Sequence, residues 1–409
     1  MPAIKWNKLV AQERVKDLLG RAFESGTLGH AYLFCGERGV GKFAAAVDLA
    51  MAVLCRCADP AKPRPCGECP SCRKAAAYSH PDLHVIMPLC LGAEHKGEGG
   101  ALSEEGWALA AASAKARMDD PYALPVYDGL PNIPVDWVRE ADHAIMRGAS
   151  EGGGSVAIID GVETMRKESA NAMLKTLEEP PPGTLLLLLT ERAHGVLPTI
   201  RSRCQTARFP LLPPEVVGAE LCGRFGIDGG ADGRGGGLFG GGASIPGRAA
   251  AAASSGSLGL AISEYENPLD EYYGYAASLW NDCLAGDWGA AAAAADGLSS
   301  GKDSYNVCRG TAICLIRLMR SACLKKFGRG GASMNYITSG DADGSAPLDG
   351  GGTSGGIELP AAIDGPYGLS TVVGLAQGAI GGLDARGNAS LVMAGLVCSL
   401  MEALNVEKQ

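Results

Sequence analysis

Gly36-Glu37-Arg38-Gly39-Val40-Gly41-Lys42 follows the short apolar run Ala31–Cys35 and precedes an alanine-rich helical pattern from Phe43 to Leu54. The backbone amides of such a loop, with the helix N-terminus behind it, can hold phosphates, and Lys42 can neutralise them. The residue after the lysine should offer a hydroxyl to magnesium. Here it is Phe43. The expected magnesium-side acid of such a site, Asp160, ends the apolar run Val156–Ile159, and a glutamate that orients an attacking water should come next. The chain has Gly161 there, with Glu163 only after the strand has ended. Two hydrolytic positions are missing together, so the loop reads as vestigial or as binding nucleotide without cleaving it. A glycine-rich turn with no ligand is the plainer alternative. Thr190, closing a run of five leucines, sits where a polar side chain can face a γ-phosphate.

Cys57-x8-Cys66-x2-Cys69-x2-Cys72 is the second chemical signal. Four thiolates at this spacing suit a tetrahedral structural zinc site, closed to catalysis, and Pro60, Pro63, Pro65, Gly67 and Pro70 supply the turns. Cys55 competes with Cys57 for the first ligand position. Chance clustering of reduced thiols is the alternative. Further on, Pro198-Thr199-Ile200-Arg201-Ser202-Arg203-Cys204 presents two arginines around a serine. An arginine offered to a neighbouring nucleotide stabilises charge on the departing phosphate; alone, the segment reads as a solvated basic turn.

These groups need a scaffold. Val15, Leu18, Leu19, Ala22 and Phe23 form one apolar face of a helix over 11–26. Strands are expected at 31–35, 83–86, 156–160 and 185–190, with helices at 43–54, 136–147 and 168–179, the last halted by Pro180-Pro181-Pro182. Alternation of this kind predicts a mostly parallel sheet with helices on both faces. Residues 88–132 read as a surface insertion with no derivable function. Nine glycines in 228–243 and a Gly/Ser/Asp-rich stretch at 328–356 read as flexible segments, and helical patterns dominate from about Pro268 onward.

At roughly 150 residues per domain, 409 residues make two or three domains. Hydrophobic residues are 46% and charged residues 20%, which excludes wholesale disorder. With 45 acidic against 36 basic residues the net charge is −9, so bulk charge does not coat nucleic acid, although a local basic surface remains open. No run approaches the roughly 20 apolar residues of a membrane span, and Met1–Asn7 carries no secretion pattern. Fourteen cysteines in so long a chain do not make a disulfide scaffold. The expected setting is the cytoplasm, with thiols reduced or holding metal and no membrane partner.

His30-Ala31-Tyr32-Leu33-Phe34 before Gly36–Lys42, the four-cysteine module, His80-Pro81-Asp82, Asn171-Ala172-Met173-Leu174-Lys175-Thr176-Leu177-Glu178-Glu179-Pro180-Pro181 and the Pro198–Cys204 segment together resemble the delta-prime family of bacterial DNA polymerase III clamp-loader subunits. The resemblance covers about residues 1–210. Beyond it, only Pro246-Gly247-Arg248-Ala249 looks like the start of a second-sensor helix. The resemblance implies an α/β AAA+ core (1–209) carrying the zinc module (55–75) and the insertion (88–132), a small helical lid (210–262) and an all-α collar (263–409). It implies a non-hydrolysing subunit that donates Arg203 in trans to the ATP site of an adjoining tau/gamma subunit, so that the loader opens the sliding clamp and places it on primed DNA. Gly36, Gly39, Gly41, Lys42, Asp160, Thr190 and Arg248 would be its nucleotide-side residues, and Cys57, Cys66, Cys69 and Cys72 its zinc ligands. The delta subunit completes the partners. The chain is then not catalytic alone but part of the polymerase holoenzyme.

Three other readings have their own signatures. The tau/gamma ATPase subunit of the same loader needs Ser or Thr at position 43 and glutamate at 161. A free-standing P-loop kinase or NTPase turns over nucleotide by itself and leaves the cysteines and Arg203 without a role. A zinc-dependent nucleic-acid module would use Lys62, Arg64, Arg73 and Lys74 and bind DNA with a steep salt dependence.

Overall fold

In the computed structural model the description covers residues 2–59, 61–97, 101–125, 127, 131–225, 256–266, 270–300, 304–327, 366–384 and 388–405. The chain divides into two compact units, the first formed by residues 1–127, 131–225 and 252–263 and the second mainly by 264–409.

The first unit is built on five parallel strands, β1 (Ala31–Gly36), β2 (Leu83–Ile86), β3 (Ser155–Ile159), β4 (Thr184–Thr190) and β5 (Gln205–Phe209), in the order β2-β3-β4-β1-β5. Leu185 to Leu189 of the central β4 are buried throughout, as a strand covered on both faces must be. Full burial of each such side chain contributes about 1.5–3 kcal/mol. Strand β5, which the sequence pattern did not reveal, lies at the edge beside β1; only Ala207 and Phe209 of its five residues are buried.

Helix α1 (Glu13–Glu24) buries Val15, Leu19 and Phe23, one stripe at helical spacing. Its flanking residue Gln12 is buried, and Nε2 donates to the carbonyls of Val40 at 3.1 Å and Pro210 at 2.8 Å, joining the glycine-rich loop to the chain leaving β5. Helix α2 (Lys42–Leu54) is buried on nearly every face, which its alanines allow. Helix α3 (Pro70–Ala76) lies within the cysteine module, a short element that the sequence pattern did not reveal.

Residues 88–132 leave and return through an antiparallel bridge between Leu89 and Asn132, with N–H···O distances of 2.9 and 3.0 Å. Between them runs α4 (Glu104–Asp119). Ser103 starts it by accepting the Gly106 amide at 3.1 Å, and Glu104 and Glu105 match the positive helix end. Helices α5 (Val135–Met146) and α6 (Lys167–Glu178) follow, then the short α7 (Pro198–Arg201), α8 (Pro214–Phe225) and α9 (Leu258–Glu266).

The second unit is helical: α10 (Asp270–Ala285), α11 (Trp288–Ser299), α12 (Ser304–Phe327), α13 (Pro366–Asp384) and α14 (Ala389–Asn405). Trp280, Leu279, Leu315, Met393, Leu400 and Met401 form its core. The glycine-rich tracts at 228–243 and 328–356, and Arg248, lie outside the described residues. Among the described residues no helix is long and apolar enough to cross a membrane.

Candidate functional site

The glycine-rich loop joins β1 to α2, and Gly39 and Gly41 take φ of +76° and +104°, a backbone that other residues rarely adopt. Lys42 is buried and turned back on its own loop. Its Nζ donates to the carbonyls of Gly36 at 2.7 Å and Glu37 at 2.8 Å. Burial lowers its pKa, against the opposing pull of Asp160, Glu191 and Glu163. The same burial raises the Glu191 carboxyl, against Arg38 and Lys42. Thr190 is buried and accepts the Arg192 amide at 3.0 Å, so its hydroxyl shapes the turn after β4.

Phe43 and Asp160 meet a residue that the sequence motifs did not single out. Arg117, at the end of α4, places its guanidinium carbon 4.4 Å from the centre of the Phe43 ring, and its Nε donates to Asp160 Oδ2 at 3.2 Å. Its Nη1 donates to the carbonyls of Pro121 and Ala123, both at 2.7 Å. Position 161 is rebuilt as well. Gly161 has φ +65°, and a Cβ there would stand 2.8 Å from Pro88 Cγ. Glu163 is engaged elsewhere, its Oε1 accepting the Glu191 amide at 3.0 Å.

The cysteines form a knuckle. Cys55, Cys66, Cys69 and Cys72 bring their Sγ atoms within 4.8 Å of one another, and those of Cys66 and Cys72 are 3.9 Å apart. Thiolates around a zinc at about 2.3 Å would sit about 3.8 Å apart, so the donor set fits the ion. Successive amides point at sulfur: Cys66 N to Cys55, Cys69 N to Cys66 and Cys72 N to Cys69, each at 3.4 Å. Burial raises the Cys66 thiol, but the amides of Cys69 and Glu68 and the neighbouring thiols outweigh it and bring it to about 6. Spacing favoured Cys57 as the first ligand; the structure puts Cys55 there instead. Cys55 directly follows the last turn of α2 and is buried at the knuckle, whereas Cys57 is outside the group. Spacing could not separate the two, because a loop of either length reaches.

Ser71, His80 and Asp82 tie the knuckle to the sheet. Ser71 Oγ donates to the Leu54 carbonyl at 2.5 Å and is 2.9 Å from His80 Nε2, while His80 Nδ1 accepts the Asp82 amide at 3.1 Å. The serine proton is thus committed to Leu54 and the histidine must donate to the serine, the reverse of a nucleophile and its base. The Asp82 carboxylate accepts the amides of Ser150 at 2.6 Å and Glu151 at 3.0 Å.

Arg203 follows α7 and remains about a third exposed. Its Nη1 donates to the Thr199 carbonyl at 2.8 Å, and its Nη2 to the carboxylate of Glu178 at the end of α6. Burial pushes the adjoining Cys204 thiol up to about 12, as expected of a small inert packing group. The P-loop is therefore turned inward, while Arg203 stays on the surface.

Residues 11–213 match the family described as "DNA polymerase III, delta subunit". DNA polymerase III subunit delta' of Bacillus subtilis is 30% identical over 220 residues, 54% of this chain and 54% of the relative. The protein of the same name from Pseudomonas aeruginosa is 35% identical over 182 residues, 44% of this chain and 43% of its own. DNA polymerase III subunit gamma/tau of Mycobacterium bovis is 30% identical over 214 residues, 52% of this chain and 30% of that one. The matched stretch spans about half the length of the delta' relatives.

Proposed function

Because the chain belongs, through residues 11–213, to the delta-prime family of DNA polymerase III subunits, we propose that it is a non-hydrolysing subunit of the clamp loader. In that role it joins tau/gamma and delta subunits, acts in the cytoplasm during DNA replication, and helps place the sliding clamp on primer–template DNA. Its contribution to ATP turnover is made in trans. Arg203 reaches the nucleotide of an adjoining motor subunit and stabilises charge on the departing phosphate.

One observation carries this reading: the residues of a P-loop site are engaged with each other, while an arginine just after the short helix α7 stays about a third exposed. Arg203 has the reach for that role, since its partners are the Glu178 carboxylate of α6, the Thr199 carbonyl and the adjacent Ser202 hydroxyl, which can be exchanged for phosphate oxygens. The knuckle of Cys55, Cys66, Cys69 and Cys72 would hold a structural zinc, which supplies local cross-linking of the segment after α2 and no open coordination position. Residues 210–262 would serve as the small helical lid and 263–409 as the collar that holds the subunits together.

Clamp loading by a reconstituted loader, with and without this chain, tests the proposal. The loader lacking it should leave the clamp off primed DNA, and adding it should restore loading. Loading that proceeds equally well without it would contradict the assignment.

A further inference from the structure

We propose that Glu178 is the positioning residue of Arg203, a latch whose carboxylate holds the guanidinium until a neighbour's phosphate displaces it. The inference rests on the reading of Arg203 as a group that acts in trans.

Both members of this pair grow from anchored backbone. The last turn of α6 is tied to the residue before β1, where His30 Nε2 lies 3.1 Å from the Leu177 carbonyl oxygen. The Glu179 amide donates to the Lys175 carbonyl at 2.8 Å, and Pro180 keeps the chain from continuing the helix. Glu178 is thus the last residue of a fixed helix. On the other side, the Ser202 amide donates to the Pro198 carbonyl at 3.0 Å and the Arg203 amide to the Ile200 carbonyl at 3.1 Å, which roots the arginine on α7. Movement is left to the two side chains, of which Arg203 exposes about a third and Glu178 about half.

Arg203 divides its donors between unlike acceptors. Nη1 donates to the Thr199 carbonyl at 2.8 Å and the Ser202 hydroxyl at 3.4 Å, both neutral. Nη2 donates to the Glu178 carboxylate, the charged acceptor of the three. A phosphate engages a guanidinium by the same charge-assisted bonds as a carboxylate, so Glu178 is its direct competitor. Glu178 also stands at the negative end of α6, where a carboxylate is disfavoured and needs a cation to match it. An exposed ion pair is weak, which suits a latch: it occupies the arginine in the free chain and yields to the dense charge of a departing phosphate.

The test has two arms. In the first, the full chain is treated with phenylglyoxal, which attacks free guanidinium groups, and modification of Arg203 is read by peptide mass against Arg201. Glu178→Gln keeps the shape, removes the charge and should speed modification of Arg203 roughly two- to fivefold, the range that an exposed ion pair allows. In the second, single-turnover ATP hydrolysis is followed in a loader assembled with its gamma/tau partner. Glu178→Gln should raise the hydrolysis rate by a similar factor, leave nucleotide affinity unchanged, and have no effect in the Arg203→Ala background. A pair with a purely structural role would shift the denaturation midpoint and move neither rate. Should Arg203→Ala leave hydrolysis intact, the reading in trans falls and the latch with it. Should Arg203→Ala slow hydrolysis while Glu178→Gln leaves either rate unchanged, slows hydrolysis, or acts equally without Arg203, the reading in trans stands and the latch is overturned.

Discussion

The ammonium of Lys42 donates to the Gly36 carbonyl oxygen at 2.7 Å, across the loop that both residues terminate. A lysine held this way stabilises the loop, with two of its three ammonium protons committed to loop carbonyls. Lys42→Ala should therefore cost stability, about 1 kcal/mol, for two part-buried carbonyls left without their donor. It should leave ATP turnover by an assembled loader unchanged. Chemical denaturation and a steady-state ATPase assay measure the two effects separately.

Gly161 cannot simply be exchanged for the missing glutamate. Its φ of +65° strains any other residue, and a Cβ would meet Pro88. Gly161→Glu is expected to lose about 1–3 kcal/mol of stability without gaining any ATP hydrolysis. A stable variant with new turnover would contradict the view that the backbone itself has left catalytic geometry.

The knuckle distinguishes two neighbouring cysteines. Cys55→Ser should release metal and loosen residues 55–80, whereas Cys57→Ser should retain it. Metal analysis of the purified variants decides this, and loss from Cys57→Ser with retention in Cys55→Ser would reverse the ligand assignment. A chelator should act as Cys55→Ser does.

His80 gives the module a pH dependence. Burial lowers its pKa from the ordinary value of 6.5, with Glu151 and Asp82 opposing. The unfolded chain then takes up this proton more readily than the folded one, so the stabilisation is fully present above pH 6.5 and is lost as pH falls through the folded value. A protonated Nδ1 can no longer accept the Asp82 amide. Stability should drop on going from pH 7 to 5, and His80→Asn should flatten that drop. An equal slope in the variant would assign the effect to other groups.

Where the sequence was legible, the signal was local. The apolar run 31–35, the spaced glycines and the alanine-rich stretch after them lie next to one another in the chain, and so do β1, the loop and α2. Strand β5 escaped notice because an edge strand buries only alternate residues, and Gln205, Thr206 and Arg208 hide that pattern in a five-residue segment. Helix α4 contains the alanine-rich stretch Ala108–Ala116, but its amphipathic face is weak: the buried positions are Gly106, Ala110, Ala114 and Met118. Arg117 was beyond reach for another reason. Its partners Phe43 and Asp160 are far from it in the chain, and nothing local to either of them points to a cation between the two. Cys55 and Cys57 were separable only by where the end of α2 delivers the chain.

An arginine that acts on a neighbour's nucleotide is felt in the neighbour's turnover, and Arg203 is the residue placed to do so. The most direct measurement is DNA-stimulated ATP turnover by a loader assembled with its gamma/tau partner, comparing wild type, Arg203→Ala and Lys42→Ala. Turnover should fall roughly tenfold or more with Arg203→Ala and not at all with Lys42→Ala. Undiminished turnover in Arg203→Ala, or a loss in Lys42→Ala, would contradict it.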